Sequence, residues 1–242
     1  MTTPRFHVPA AAPGARVTLP EHTAHHAREV LRLRSGAITR VFDGSGHEFE
    51  AVLEEVSRRR VTAHLQQVVT PRAESPLRVV LALSPLKGDF MELVIQKATE
   101  LGVAEVWPVI TARTDAVARP ALQGSRQERW ERVASGAAEQ SGRARVPRIA
   151  ATTTLDEMLK APFQGGRALL LETGSHASLA GLPAAPALLL LIGPAGGWES
   201  HEARLLQDAG FNAVSIGPRI LRAETAAIAA MALAQGLWGD LR

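Results

Sequence analysis

Residues 187–192 are six consecutive apolar side chains, Ala-Leu-Leu-Leu-Leu-Ile, and residues 168–171 form a shorter run of the same kind. Runs this short and unbroken fit strands buried on both faces, the situation of a parallel sheet covered by helices. The surrounding segments supply those helices. From Leu77 onward the pattern alternates: strand over 78–83, amphipathic helix over 90–101 closed by Gly102, strand over 104–110, helix over 125–140. Thr154-Leu-Asp-Glu157 fits a capping box opening a short helix to Lys160. A helix over 200–209 closed by Gly210, a strand over 213–216 and an alanine-rich helix over 225–238 complete an α/β domain with a mostly parallel sheet.

Residues 1–72 have a different texture and hold six of the eight histidines. A one-faced helical spacing over 21–34 is followed by strands over 38–42, 47–53 and 61–69, with a turn at Asp43-Gly44. This predicts a small barrel-like β-domain over 1–72, a proline-bracketed linker over 71–76 and the α/β domain over 77–242.

Several chemistries are excluded by composition or spacing. Cysteine is absent, which removes disulfides, thiolate nucleophiles and cysteine-ligated metals. There is no P-loop, no complete G-x-G-x-x-G, no H-E-x-x-H and no G-x-S-x-G. His22, His25 and His26 cluster, but neighbouring helical residues diverge by about 100°, so no metal is expected. No apolar run nears the roughly 20 residues of a membrane span, and the N-terminus lacks a signal-peptide core, which predicts a cytoplasmic protein. The formal charge is +3 with a pI near 10.1, because 24 of the 27 basic residues are arginine. Arginine suits phosphate and stacks on bases, although GC-rich coding gives the same bias.

The informative residues follow the last two strands. Ile192 leads into Gly193-Pro-Ala-Gly-Gly-Trp198, and Ile216 leads into Gly217-Pro-Arg-Ile-Leu-Arg-Ala-Glu-Thr225. Ligands of open α/β sheets bind beyond the carboxyl ends of strands, and glycines there let backbone approach a ligand. Each loop alone is equally an ordinary strand-to-helix connection.

Together the two loops resemble the SPOUT class of RNA methyltransferases, and more narrowly the 16S ribosomal RNA (uracil-N3) methyltransferase family. The resemblance also runs through Pro4-Arg-Phe6, His26 with Val30-Leu-Arg-Leu33, Phe42-Asp-Gly44, Leu86-Lys-Gly-Asp89, Thr99-Glu-Leu-Gly-Val103 and Glu139-Gln-Ser-Gly-Arg143. Two positions depart from the family pattern: Ala195 replaces a usual Glu and Phe90 a usual Lys.

The resemblance implies a PUA-like β-barrel domain followed by a SPOUT α/β domain with a C-terminal trefoil knot. It implies a homodimer that uses S-adenosyl-L-methionine to methylate N3 of a uridine in 16S ribosomal RNA of the small subunit. Cofactor contacts are then expected from Leu171, Glu172, Gly193, Pro194, Gly196, Gly197, Ile216, Gly217, Leu221, Arg222, Thr225 and Ala226. Arg222 is the candidate for stabilising charge on the pyrimidine, with Glu224 as its orienting partner. RNA contacts are expected from Arg5, His26, Arg28, Arg32, Arg34, Arg113 and Arg143, with Arg28 and Arg32 on one helix face. Two alternatives stay open at this stage: a SPOUT enzyme acting on a ribose 2′-OH, and an assembly factor that binds RNA without catalysis.

Overall fold

The structure, a computed structural model, describes residues 3–9, 11–114, 125–160, 163–172 and 174–241. They form two compact units: residues 1–74 with 135–146, and residues 75–134 with 147–242.

The first unit contains β1 (Arg5–His7), β2 (Arg16–Thr18), α1 (Glu21–His25), β3 (Ile38–Phe42), β4 (Glu48–Val56) and β5 (Val61–Val69). The strands order as β1-β3-β4-β5-β2 in a curled half-barrel. Alternate residues of β4 and β5, among them Phe49, Leu53, Val61 and Leu65, point inward to a core shared with Phe6 and Val41. That is the period-2 pattern of a sheet with one buried face. β1 and β2 are three residues each and carry too little pattern to be read from sequence.

The helix expected over 21–34 is shorter. α1 runs into a π-helical turn, His26–Val30, marked by the Leu31 N–H donating to the His26 carbonyl at 3.0 Å. The chain leaves at Arg32, whose φ of 51° makes it the only non-glycine in the left-handed region among the described residues. Left-handed backbone costs an L-residue about 1–2 kcal/mol and ends a helix. Arg28 and Arg32 therefore do not share a helix face.

The second unit holds β6 (Arg78–Leu83), α2 (Phe90–Glu100), β7 (Val103–Ile110), β8 (Arg148–Ile149), β9 (Thr153–Thr154), β10 (Arg167–Leu171), β11 (Ala187–Ile192) and β12 (Asn212–Val214). Its further helices are α4 (Leu155–Leu159), α5 (Ser200–Asp208) and α6 (Ala223–Trp238); α3 (Ser125–Ser141) starts here and ends in the first unit. The sheet order is β12-β10-β11-β6-β7-β8, with β9 also on β7, and every pairing is parallel. All six residues of β11 are buried, as its unbroken apolar run requires. Each such leucine contributes about 1.5–3 kcal/mol by leaving water. α6 packs on α2 through small residues, Ala223, Ala227, Ala230 and Ala234 being buried. The expected linker is tied down at both sides of the unit boundary: Glu74 pairs with Arg143, and the Ser75 hydroxyl donates to Gln235 Oε1 at 2.6 Å.

Candidate functional site

β6, β10, β11 and β12 are parallel neighbours, so their carboxyl ends lie at one edge of the second unit. A cavity of about 790 Å³ opens there, within the size range of small-molecule sites. It is lined by Leu171 and Glu172 after β10, by residues 192–195, 197 and 198 after β11, and by residues 215–217 and 219–224 after β12. Leu86, Lys87 and Phe90 close the side beyond β6.

The loop after β11 is shaped by two local constraints. Pro194 and Gly197 close a turn, the Gly197 N–H donating to the Pro194 carbonyl at 2.9 Å, with Gly197 at φ 73°. At Gly193 the limit is space: a Cβ would stand 2.8 Å from Cε2 and Nε1 of the Trp198 indole, which itself lines the cavity. Gly196 is turned differently. Its carbonyl accepts from Arg113 Nη1 at 2.8 Å, and it does not line the cavity.

A buried carboxylate fixes the far end of this loop. Glu202, in the first turn of α5, accepts the Ala112 N–H at 2.7 Å and the Glu199 N–H at 3.0 Å. It ties the turn after β7 to the start of α5. Beneath it, the Thr114 hydroxyl accepts the Thr111 N–H at 2.7 Å and meets Ser84 Oγ at 2.8 Å, joining the ends of β7 and β6. Glu202→Ala removes two part-buried hydrogen bonds to a charged acceptor, each worth about 1.5–3 kcal/mol. The expected result is a loss of about 2–4 kcal/mol in urea unfolding; an unchanged midpoint would refute the tether.

Of the residues expected to meet a cofactor, Leu171, Glu172, Gly193, Pro194, Gly197, Ile216, Gly217, Leu221, Arg222 and Ala226 line the cavity. Gly196 and Thr225 do not, Thr225 facing solvent on the first turn of α6. Arg222 and Glu224 both line it, and no ion pair joins them among the described residues. Sequence reasoning passed over Trp198, Arg219, Ile220 and Glu202. The Glu199-x-x-Glu202 spacing at a helix start was the one available signal for the last of these. Among the described residues no three His, Asp or Glu side chains converge as a metal site requires.

Comparison with known proteins matches residues 73–235 to the RNA methyltransferase domain and residues 19–66 to the RNA methyltransferase PUA domain. A relative from Synechocystis, named Ribosomal RNA small subunit methyltransferase E, is 37% identical over 90% of this chain and 72% of its own. The chain belongs to the ribosomal RNA small subunit methyltransferase E family. The crystal structure of a Ribosomal RNA small subunit methyltransferase E from Neisseria gonorrhoeae, bound to S-adenosyl methionine, has a TM-score of 0.89 at 35% identity, covering all of both chains. A putative methyltransferase from Legionella pneumophila, in complex with the same cofactor, has a TM-score of 0.93 at 34% identity, again over the whole of both chains.

The arginines expected to hold RNA divide into two groups. Arg5 is structural. Its Nε and Nη2 donate to the two oxygens of buried Glu48 at 2.9 and 3.1 Å, and Nη1 and Nη2 donate to the carbonyls of Ala138, Glu139 and Arg143. A guanidinium has five N–H donors, so none is left for a phosphate. Arg143 is likewise drawn to Glu74, with Nη2 at 2.6 Å and little of the side chain exposed. Arg28 is mostly covered, donating to the Ser57 carbonyl and to Glu21. His26, Arg32 and Arg34 are exposed in the first unit, and Arg113 in the second. Nothing in sequence spacing separates these groups, because the partners of Arg5 lie 43 to 138 residues away.

Arg5 also lies beside an unusual carboxyl. Glu139 Oε1 accepts the His7 N–H at 2.8 Å, and burial lifts its pKa to about 7 despite that bond and the Arg5 charge. The folded chain thus holds this proton more tightly than the unfolded one, whose glutamate titrates near 4.5. Stability is full below about pH 4.5 and is lost as pH rises through 7, by about 3 kcal/mol. His7 works in the opposite sense: burial lowers its pKa, so its contribution is present above pH 6.5 and is lost as pH falls from there through the lowered value. Glu139→Gln removes only the first effect. Urea midpoints at pH 5 and pH 8 are expected to show a gain for the variant at pH 8 alone; equal shifts at both would refute the assignment.

Proposed function

We propose that this chain transfers a methyl group from S-adenosyl-L-methionine to N3 of a uridine in 16S ribosomal RNA of the small subunit. The observation that carries the reading is the cavity at the ends of four parallel strands, with the Gly193–Trp198 and Ile216–Ala226 loops as its walls. Its chemistry fits the cofactor. Leu171, Ile192, Ile216, Leu221 and Trp198 offer apolar walls for an adenosyl group, loop backbone offers donors, and Glu172 and Glu224 offer acceptors. When bound, the cofactor supplies a methyl group already activated on a sulfonium, so the protein's task is alignment.

Uracil N3 bears a weakly acidic proton, and charge grows on the pyrimidine oxygens as it leaves. Arg222 lines the cavity as the residue preceding α6, with its carbonyl engaged by the Ala226 N–H at 2.8 Å, which fixes where the side chain starts. Its planar fork can donate to such an oxygen, and Glu224, two residues on in the first turn of α6, can orient it. RNA is held by exposed polar and basic side chains: His26, Arg32 and Arg34 in residues 1–72, which form the RNA-holding domain, and Arg113 in the methyltransferase domain, 77–242. The protein acts as a homodimer in the cytoplasm, with no metal, and its C-terminal segment is threaded as a trefoil knot. The homodimer is supported by the half-exposed alanines of α6, Ala229 and Ala232, which permit close helix packing. No described helix is long and apolar enough to cross a membrane.

The test incubates the protein with methyl-labelled cofactor and small ribosomal subunits from a strain lacking the enzyme, followed by nucleoside mass spectrometry. Labelled 3-methyluridine is the expected product. Label on a ribose, or no transfer at all, would overturn the reading.

A further inference from the structure

Phe90 is in the wrong place for a core residue. All six phenylalanines of the chain are described, and of these Phe90 alone is exposed, at 43%. It is the first residue of α2, whose packing face is Met91, Val94, Ile95 and Ala98, so the helix does not need it. Yet it lines the cavity together with Ile220, which is 86% exposed and comes from the loop after β12. Lys87, Arg219 and Arg222 line the same cavity. An exposed aromatic face in a cavity that cations also line can receive an unstacked base while the cations meet its phosphates.

We propose that Phe90 is a positioning residue that stacks on the target pyrimidine once that base is turned out of the RNA; this rests on the reading of the chain as an RNA methyltransferase. N3 is on the Watson–Crick edge, so the base must leave its stack before methylation. A stacked ring recovers part of what that costs and holds the pyrimidine plane fixed at the cavity mouth. The alternative occupant is a second copy of this chain. Charge argues against it: a two-fold contact sets a patch against itself, which would bring the Lys87, Arg219 and Arg222 cations of both copies together.

The experiment compares Phe90→Ala, Phe90→Leu, Phe90→Trp and Leu93→Ala in methyl transfer to small ribosomal subunits, with cofactor affinity measured by calorimetry and mass by light scattering. Leu93 is exposed on the same helix but does not line the cavity. Stacking predicts that Phe90→Ala and Phe90→Leu both raise KM for subunits about tenfold, with cofactor Kd unchanged. Phe90→Trp should behave as wild type, and Leu93→Ala should change nothing. Phe90→Leu with wild-type KM would mean that apolar contact suffices, which overturns stacking. A change of mass in Phe90→Ala would assign the residue to a subunit interface instead. Wild-type protein that transfers no label overturns the RNA reading and the proposal with it, whereas active wild type with unaltered KM in Phe90→Ala overturns the Phe90 assignment alone.

Discussion

Gly193→Ala is expected to weaken S-adenosylmethionine binding by about 5- to 100-fold, while leaving the unfolding midpoint of the chain close to wild type. The added methyl meets the Trp198 indole at 2.8 Å, a separation that carbon atoms do not sustain. Something must move. β11 cannot, since all six of its residues are buried between β10 and β6. The movable partner is Trp198, half-buried in a loop whose next fixed point is the Glu199 N–H bond to Glu202. Displacing the indole removes one apolar wall of the cavity and pushes the Pro194–Gly197 turn with it. Overpacking of this kind costs about 1–3 kcal/mol, and here the cost falls on the liganded arrangement of the loop. Calorimetric titration with the cofactor checks the affinity, and Trp fluorescence, read against a Trp198→Phe control because the chain has four tryptophans, reports the indole. A wild-type Kd with shifted fluorescence would show that the Trp198 position does not matter to the ligand.

That same pair marks the boundary of what sequence can reveal. The loop was legible: an apolar run ending in Gly-Pro-Ala-Gly-Gly after a buried strand announces a strand-end site, because strand burial and turn chemistry are both local. That Gly193 is needed for the Trp198 ring, five residues on, was not legible, because spacing says nothing of where an indole folds back. The long strands β4, β5 and β11 carry enough periodicity to be read, whereas β8 and β9, two residues each, exist only because β7 offers them an edge. The end of α1 failed for a different reason. Its apolar spacing continues to Leu31, but a π-helical turn and a left-handed Arg32 stop it, and neither has a reliable sequence mark. Charged residues were the least legible. Arg5 and Arg32 look alike in sequence; one has all five donors committed within the fold and the other faces solvent. The same holds for Glu202, whose partner Ala112 is 90 residues away.

Arg222→Ala is expected to lower kcat by about 10²–10³-fold with little change in cofactor affinity. The asymmetry follows from what the residue touches at each stage. Before reaction the uracil oxygens are neutral carbonyls and gain modestly from a cation; as N3 loses its proton they carry charge, and a guanidinium beside them becomes far more favourable. An interaction that strengthens toward the transition state appears in kcat, whereas one present throughout appears in KM. Among the described residues Arg222 has no carboxylate partner, so its charge is not already neutralised within the fold. Arg222→Lys keeps the charge but not the planar fork, and its kcat should fall between wild type and alanine. Single-turnover transfer of labelled methyl to small subunits measures the chemical step, and calorimetry measures the cofactor. Should Arg222→Ala retain wild-type kcat while KM for subunits rises, the residue holds RNA in the ground state, and stabilisation of the pyrimidine charge falls to backbone N–H donors of the Ile216–Ala226 loop.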